Sequence, residues 1–161
     1  MMILGVLTVS DRCSQGLSQD TAGPAVVDLL RKNWETARIE AALVPDDEDQ
    51  ICSQLVAWCD LGAVLILTVG GTGLGPRDRT PEATRRILDR EAPGLSEAMR
   101  AIGAGRNPYA WLSRGAAGLR GESLIVNLPG SQRGAQESLE AILPLLRHGL
   151  QVVAGSRMHP E

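Results

Sequence analysis

The sequence contains no phenylalanine, and aromatic residues make up only 2% of it, as three Trp and one Tyr. That leaves no stacking platform for single-stranded nucleic acid, and the core has to be built from Leu, Ile, Val and Ala. An excess of positive charge is missing as well. The 16 Lys and Arg stand against 19 Asp and Glu, a formal net charge of −3, so there is no basic stripe of the kind nucleic-acid binders use to displace counterions. The three cysteines, Cys13, Cys52 and Cys59, form neither a C-x-x-C pair nor a disulfide framework. Cys52 and Cys59 lie seven residues apart in a helical stretch and read as core thiols on one face. Cys13 lies in a loop beside Asp11. The two histidines, His148 and His159, complete no metal-ligand spacing. A long hydrophobic run is also lacking. The apolar start Met1 to Val9 stops at Ser10-Asp11-Arg12, too early for a membrane span, and shows neither a basic leader nor a small-residue cleavage site. These absences predict a cytoplasmic protein with no nucleic-acid or membrane partner.

With 43% hydrophobic and 22% charged residues, what remains fits one domain over residues 1–161. The N-terminal run reads as a strand. Gly23-Pro24 then opens a helix with Val26, Val27, Leu30 and Trp34 at helical spacing, followed by a strand from Ile39 to Val44. Asp47 to Asp60 is helical, with Ile51, Leu55, Trp58 and Cys59 on one stripe and acidic residues in its first turn. Ala63 to Val69 is apolar on both faces, as in a strand covered by helices on both sides. This alternation predicts an α/β fold with a parallel sheet between helical layers. Further on, Thr80 to Arg90 and Gly94 to Ile102 read as helices. Trp111-Leu112, Ala116 to Leu119 and Leu124 to Val126 read as short strands, the first two antiparallel at the sheet margin. A last helix carries Leu139, Ile142, Leu143, Leu146 and Leu150 on one face, and Pro144 is expected to kink or split it.

In open parallel sheets ligands gather outside the carboxyl ends of the strands. Those ends deliver Ser10-Asp11-Arg12, Pro45-Asp46-Asp47, Gly70 to Asp78, and Asn127-Leu128-Pro129-Gly130-Ser131. Asp47 and Ser131 are equally well read as helix caps. The glycine segment Gly70-Gly71-Thr72-Gly73-Leu74-Gly75 joins a buried strand to Thr80-Pro81, read as an N-cap followed by proline at the first helical position. Such a loop can expose backbone N–H groups to an anion. It is not a Walker loop, because Pro76-Arg77 stands where Lys-Ser/Thr would be required. The dinucleotide fingerprint fails too, since no glycine occupies position 76 and the loop does not follow the first strand.

Thr68 to Gly73 together with Arg77-Asp78-Arg79-Thr80-Pro81-Glu82-Ala83-Thr84 resembles the signature of the MogA/MoaB family. Thr8-Val9-Ser10-Asp11-Arg12, Val44-Pro45-Asp46, Leu112-Ser113-Arg114 and Asn127-Leu128-Pro129-Gly130 extend the likeness across essentially the whole chain. The family includes the related domain of gephyrin, and its fold is a three-layer αβα sandwich with a mostly parallel central sheet, usually assembled as a trimer or larger oligomer. The resemblance implies a molybdopterin adenylyltransferase of molybdenum cofactor biosynthesis, transferring AMP from Mg-ATP to the terminal phosphate of molybdopterin and releasing pyrophosphate. The alternative within the family is a paralogue that binds molybdopterin or scaffolds without adenylylating it. An expected further partner is a molybdenum-insertion enzyme.

Such chemistry needs positioning and charge neutralisation rather than a covalent nucleophile. By motif match, Asp46 and Asp78 take the places of the family's two essential aspartates, as catalytic groups and as ligands of Mg²⁺. Gly70, Gly71, Thr72 and Gly73 would cradle nucleotide or pterin phosphate. Ser113, Asn127, Pro129 and Gly130 would line the pterin side, and Ser10 and Asp11 the nucleotide side. The chain departs from the pattern at Val69, where a threonine is frequent, and at Gln132-Arg133, where Pro-Lys is frequent. Arg133 keeps the positive charge.

Overall fold

The computed structural model describes residues 1–155. His159 lies outside the described residues. The chain starts with β1 (Ile3–Val9), a one-turn helix α1 (Asp11–Ser14), α2 (Ala22–Asn33), β2 (Arg38–Val44) and α3 (Glu48–Asp60). It continues through β3 (Leu65–Val69), α4 (Thr80–Ile87), a two-residue strand β4 (Arg90–Glu91) and α5 (Pro93–Ala104). A 3-10 turn (Pro108–Leu112), β5 (Ala117–Arg120), β6 (Ser123–Leu128) and α6 (Gln132–Val153) complete it. The six strands form one sheet in the order β2-β1-β3-β6-β5-β4. The pairs β1·β2, β1·β3 and β3·β6 are parallel, while β5·β6 and β4·β5 are antiparallel. The expected αβα sandwich with a mostly parallel sheet is therefore present.

The strand alternation sorts the core into two layers. Leu4 and Val6 of β1, Leu65, Leu67 and Val69 of β3, and Val126 and Leu128 of β6 face α2, α5 and α6. Leu7, Val9, Ile66 and Ile125 face the opposite way, onto Ile51, Leu55 and Trp58 of α3 and Ala83 of α4. Because side chains alternate faces with period two, each central strand carries apolar residues on both faces and serves both layers, with Thr8, Thr68, Ser123 and Asn127 as the buried polar positions. Cys52 is buried in the second layer, its thiol donating to the Ala83 carbonyl at 3.2 Å. Cys59, expected in the core, is only half-buried at the far end of α3.

Three expectations are corrected at the margins. Trp111-Leu112 is part of the 3-10 turn rather than a strand, because Asn107 caps it by accepting the Tyr109 N–H at 3.1 Å and Pro108 occupies its first position. The antiparallel margin is made instead by β4, β5 and β6. Helix α4 ends at Ile87, since the Asp89 N–H turns away to the Leu119 carbonyl at 2.8 Å and starts the edge strand. Helix α6 runs through Pro144 without a break. Pro144 and Glu140, whose carbonyl loses its donor, are both exposed, so water can satisfy that carbonyl while Leu139, Ile142, Leu146 and Leu150 stay packed on either side.

Candidate functional site

Parallel register brings four strand ends to one edge. Val9 pairs with Val44, Thr8 with Val69, and Val69 with Leu128, so Ser10, Asp46, Gly70 and Pro129 all emerge at the carboxyl tips. The Ser10 N–H donates to the Val44 carbonyl at 3.0 Å and the Gly70 N–H to the Leu128 carbonyl at 3.1 Å, carrying the ladder past the strands themselves.

The glycine loop is shaped by what surrounds it. Gly70 and Gly71 have φ of 102° and 67°, a region that side chains with a Cβ rarely enter. Thr80 then ties the loop down: its N–H donates to the Gly71 carbonyl at 3.1 Å and its hydroxyl to the Gly70 carbonyl at 2.9 Å. The cap of α4 is accordingly Arg79, and Thr80, expected as the cap, is a fully buried first residue of the helix. Across the tips, a Cβ on Gly130 would lie 3.2 Å from the Gly70 Cα, so the ends of β3 and β6 meet backbone to backbone.

Behind this loop, Ser10, Asp11 and Asp46 form a second cluster. The Ser10 hydroxyl accepts the Cys13 N–H at 3.2 Å and caps α1. Asp11 and Asp46 exchange bonds: the Asp11 N–H donates to Asp46 Oδ2 at 2.8 Å, and the Asp46 N–H to Asp11 Oδ1 at 3.0 Å. Arg77, from the far side of the glycine loop, grips the Asp11 carboxylate with Nε and Nη2 at 3.0 and 3.1 Å. That hydrogen bond holds the Asp11 carboxyl below its ordinary range. Asp46 moves the other way. Burial raises its carboxyl, and the negative charges of Asp11 and Asp78 push it further. Neighbouring carboxylates with pKa values driven apart are a mark of a functional cluster. Asp46 lies against the loop, its Oδ1 2.9 Å from where a Cβ on Gly71 would be. Asp78 closes the loop by accepting the Gly75 N–H at 2.9 Å through Oδ2.

Arg114 braces the same loop from the opposite side. Its backbone N–H donates to the Thr72 carbonyl at 2.8 Å, its Nε to the Gly73 carbonyl at 2.8 Å, and its Nη2 to the Asp78 carbonyl at 2.7 Å. Its Nη1 bonds Glu82 of α4. Burial acts to raise the Glu82 carboxyl, but the hydrogen bond from Arg114 and the charges of Arg114 and Arg79 outweigh it and leave the group below its ordinary range.

A cavity of about 700 Å³ opens on the tips, within the span of small-molecule sites. Of the residues expected to bind ligand, Gly71, Thr72 and Gly73 line one wall together with Asp78. Ser113, Asn127, Pro129 and Gly130 line another. Gly70, at the start of the loop, is not on its wall, and Ser10, Asp11 and Asp46 stand behind the loop. Asn127 is buried and its amide is engaged by the fold: Nδ2 donates to the Thr68 and Thr84 hydroxyls, each at 2.9 Å, and Oδ1 accepts the Ala116 N–H at 3.0 Å. Sequence reasoning did not single out Ser96 and Arg100 of α5 or Arg106, all of which line the cavity. No spacing marks Ser96 or Arg100, while Arg106 stands out only as the charge in the glycine-rich break from Gly103 to Pro108. Arg114 carried a signal, since it follows Ser113 in the Leu-Ser-Arg string, but its role as a brace shows only in three dimensions. Among the described residues no group of three or more His, Cys, Asp or Glu is placed to hold a metal ion, and no helix is long and apolar enough to cross a membrane.

Residues 5–148 match the protein family described as a probable molybdopterin binding domain. The chain is 38% identical over 157 residues to a molybdopterin adenylyltransferase of Helicobacter pylori, covering 96% of this chain and 89% of that one. It is 41% identical over 150 residues to the molybdenum cofactor synthesis protein cinnamon of Drosophila melanogaster, covering 92% of this chain and 25% of cinnamon. The chain thus spans about a quarter of the length of cinnamon, and 22% of the gephyrin of Dictyostelium discoideum. Among solved structures, the molybdopterin biosynthesis enzyme MoaB of Thermus thermophilus superposes with a TM-score of 0.89 at 54% identity, over 96% of this chain and 98% of that one. A family match over most of the chain, and relatives that share both its sequence and its sheet, make the chain a member of the MogA/MoaB family of molybdopterin-binding domains.

Proposed function

We propose that this protein is a molybdopterin adenylyltransferase, acting in molybdenum cofactor biosynthesis with ATP as co-substrate. The observation that carries the reading is the placement of Asp78 on the wall of the tip cavity with Asp46 behind the glycine loop, against the Gly71 backbone and within reach of the Asp78 charge. The relatives named molybdopterin adenylyltransferase that align over most of the chain support it.

In the reaction a terminal phosphate oxygen of molybdopterin attacks the α-phosphorus of ATP, and pyrophosphate leaves. The chain's own task is to hold two polyanions in line and balance their charge. The loop from Gly71 to Gly73 offers backbone to the phosphates at short range. Arg77 and Arg114 fix that loop from its two sides, so its groups are set before substrate arrives. Asp46 and Asp78 fit a hard divalent cation such as Mg²⁺. Each has one oxygen, Oδ1, with no hydrogen bond among the described residues, and two carboxylates plus substrate phosphates are the donors Mg²⁺ takes. A cation held there would neutralise the charge that builds on the phosphates. It would also offset the repulsion that adds to burial in raising the Asp46 carboxyl.

Incubation of the protein with molybdopterin, ATP and Mg²⁺, followed by mass spectrometry, is expected to show adenylyl-molybdopterin and pyrophosphate. Saturable molybdopterin binding with no such product would refute the enzymatic reading. We further propose that the chain is one compact domain that acts as a homo-oligomer, a trimer or hexamer, in the cytoplasm. A monomeric mass by sedimentation would overturn the assembly.

A further inference from the structure

We propose that Thr84 of α4 is a positioning residue for AMP transfer: through the Asn127 amide it sets the glycine loop against the Ser113 wall of the cavity. The inference rests on the function proposed above. Thr84 is fully buried and lies four residues beyond Thr80, the residue that holds the Gly70 and Gly71 carbonyls. Residues four apart on a helix share a face. One face of α4 therefore carries the loop at its start and meets β6 a turn later, where Asn127 Nδ2 donates to the Thr84 hydroxyl at 2.9 Å. A shift of α4 on the sheet would carry the Gly70-Gly71 backbone with it.

Asn127 joins that helix to the opposite wall. It is 1% exposed, and both Nδ2 hydrogens are spent, one on Thr84 and one on Thr68. Its backbone N–H donates to the Ala116 carbonyl at 2.9 Å while its Oδ1 accepts the Ala116 N–H at 3.0 Å, a two-bond clamp on the residue after Gly115. The Gly115 N–H donates to the Ser113 hydroxyl at 3.3 Å, and a Cβ on Gly115 would lie 3.2 Å from the Asn127 carbonyl oxygen. The amide thus keeps no donor for a ligand and acts as a joint between two walls. The two threonine bonds are equal in length and both buried, but they connect different things. Thr68 is already placed opposite Asn127 by the β3·β6 ladder, so its bond adds stability without adding position. The Thr84 bond ties a helix to the sheet. Transfer between two bound anions depends on their separation, and a misplacement of about 1 Å can cost about 100-fold in rate. The bond therefore bears on turnover more than on affinity.

The test compares Thr84→Val and Thr84→Ala, which both remove the acceptor, with Thr84→Ser, which keeps it, and with Thr68→Val, which removes the other bond. Rates are measured well below each variant's melting temperature. In Thr84→Val and Thr84→Ala, kcat for adenylylation is expected to fall about tenfold or more, with the KM values for molybdopterin and ATP near wild type. Thr84→Ser and Thr68→Val are expected to keep the wild-type kcat, although Thr68→Val melts lower. Hydrogen exchange on the free protein gives a second readout: the Thr80 N–H, bonded to the Gly71 carbonyl, is expected to exchange faster in Thr84→Val and at the wild-type rate in Thr68→Val. Wild-type kcat in whichever of the valine and alanine variants folds would overturn the proposal. So would a raised KM for molybdopterin with kcat unchanged, the mark of a ligand contact, or an equal loss of kcat in Thr68→Val, the mark of lost stability alone. Failure of the underlying function looks different: the wild type itself would form no adenylyl product, and the role in transfer would fall even where exchange at Thr80 responds to Thr84→Val.

Discussion

Asp46 and Asp11 exchange backbone bonds within one small cluster, yet their carboxyls are driven in opposite directions. Arg77 neutralises Asp11, while Asp46 meets burial and two negative neighbours. The consequence for acid titration has a definite sign. A carboxyl raised in the folded state is penalised when ionised. The penalty is full above its folded pKa and vanishes once the pH falls below the unfolded value of about 3.9. Asp46→Asn is therefore expected to melt no lower than the wild type at pH 7, and at a higher temperature if the amide keeps the Asp11 N–H bond, while adenylylation falls by about 100-fold or more. Scanning calorimetry and product analysis on one preparation would check both halves. Asp78→Asn removes one of the charges that raise Asp46. In that variant the Asp46 carboxyl is expected to titrate at lower pH by carbon-13 NMR, with the fold intact and AMP transfer nearly abolished.

At the scale of elements, the site is a loop held between two arginines. Arg77 ties it to the tip of β1 through Asp11, and Arg114 ties it to α4 through Glu82 and to itself through three carbonyls. Arg114→Ala is expected to lower stability by about 1–3 kcal/mol, because Glu82 and the Gly73 and Asp78 carbonyls lose their donor. A double-mutant cycle with Glu82→Gln would measure the coupling by urea unfolding. Glu82 has its carboxyl lowered, so the pair's contribution is complete above the unfolded glutamate value of about 4.3 and is lost as the pH falls through the folded pKa. The coupling should therefore be present at pH 7 and shrink in acid. The same scale shows what was readable in the chain. Strand ends announce themselves, since glycine, proline and carboxylate follow long apolar runs, and this placed Asp46, Asp78 and the glycine loop correctly at one edge. Trp111-Leu112 misled because two large apolar residues look like a strand, whereas the cap at Asn107 and Pro108 decided otherwise. Ser96 was invisible for a different reason: a serine in a helix has no signature until the wall it lines is known.

Across the whole molecule, two apolar layers back a sheet whose parallel tips carry the site, and the antiparallel β4–β5 margin lies on the far side of β6 from β1. Binding energy collected at the tips is thereby linked to the stability of the entire fold. Molybdopterin at 100 times its dissociation constant is expected to add about 2.7 kcal/mol, a rise in melting temperature on the order of 5–10 °C for a chain of this length. Thermal melts with and without ligand would show it, and an unchanged midpoint under saturating ligand would refute specific binding.

The contact between Gly70 and Gly130 has a bearing on how such a site can change over generations. The two tips touch through backbone alone, with no side chain between them. A side chain at Gly70 would drive its Cβ to 2.4 Å from the Val9 carbonyl oxygen, and one at Gly130 would press on the Gly70 Cα at 3.2 Å, so the gap there is hard to change in small steps. The cavity can be reshaped more readily from the side of α5 and the 3-10 turn, where Met99, Ala110 and Leu112 line it and can be exchanged one methylene at a time. The tip contact is the rigid part of the cavity, and the helical wall is the part whose side chains can be exchanged.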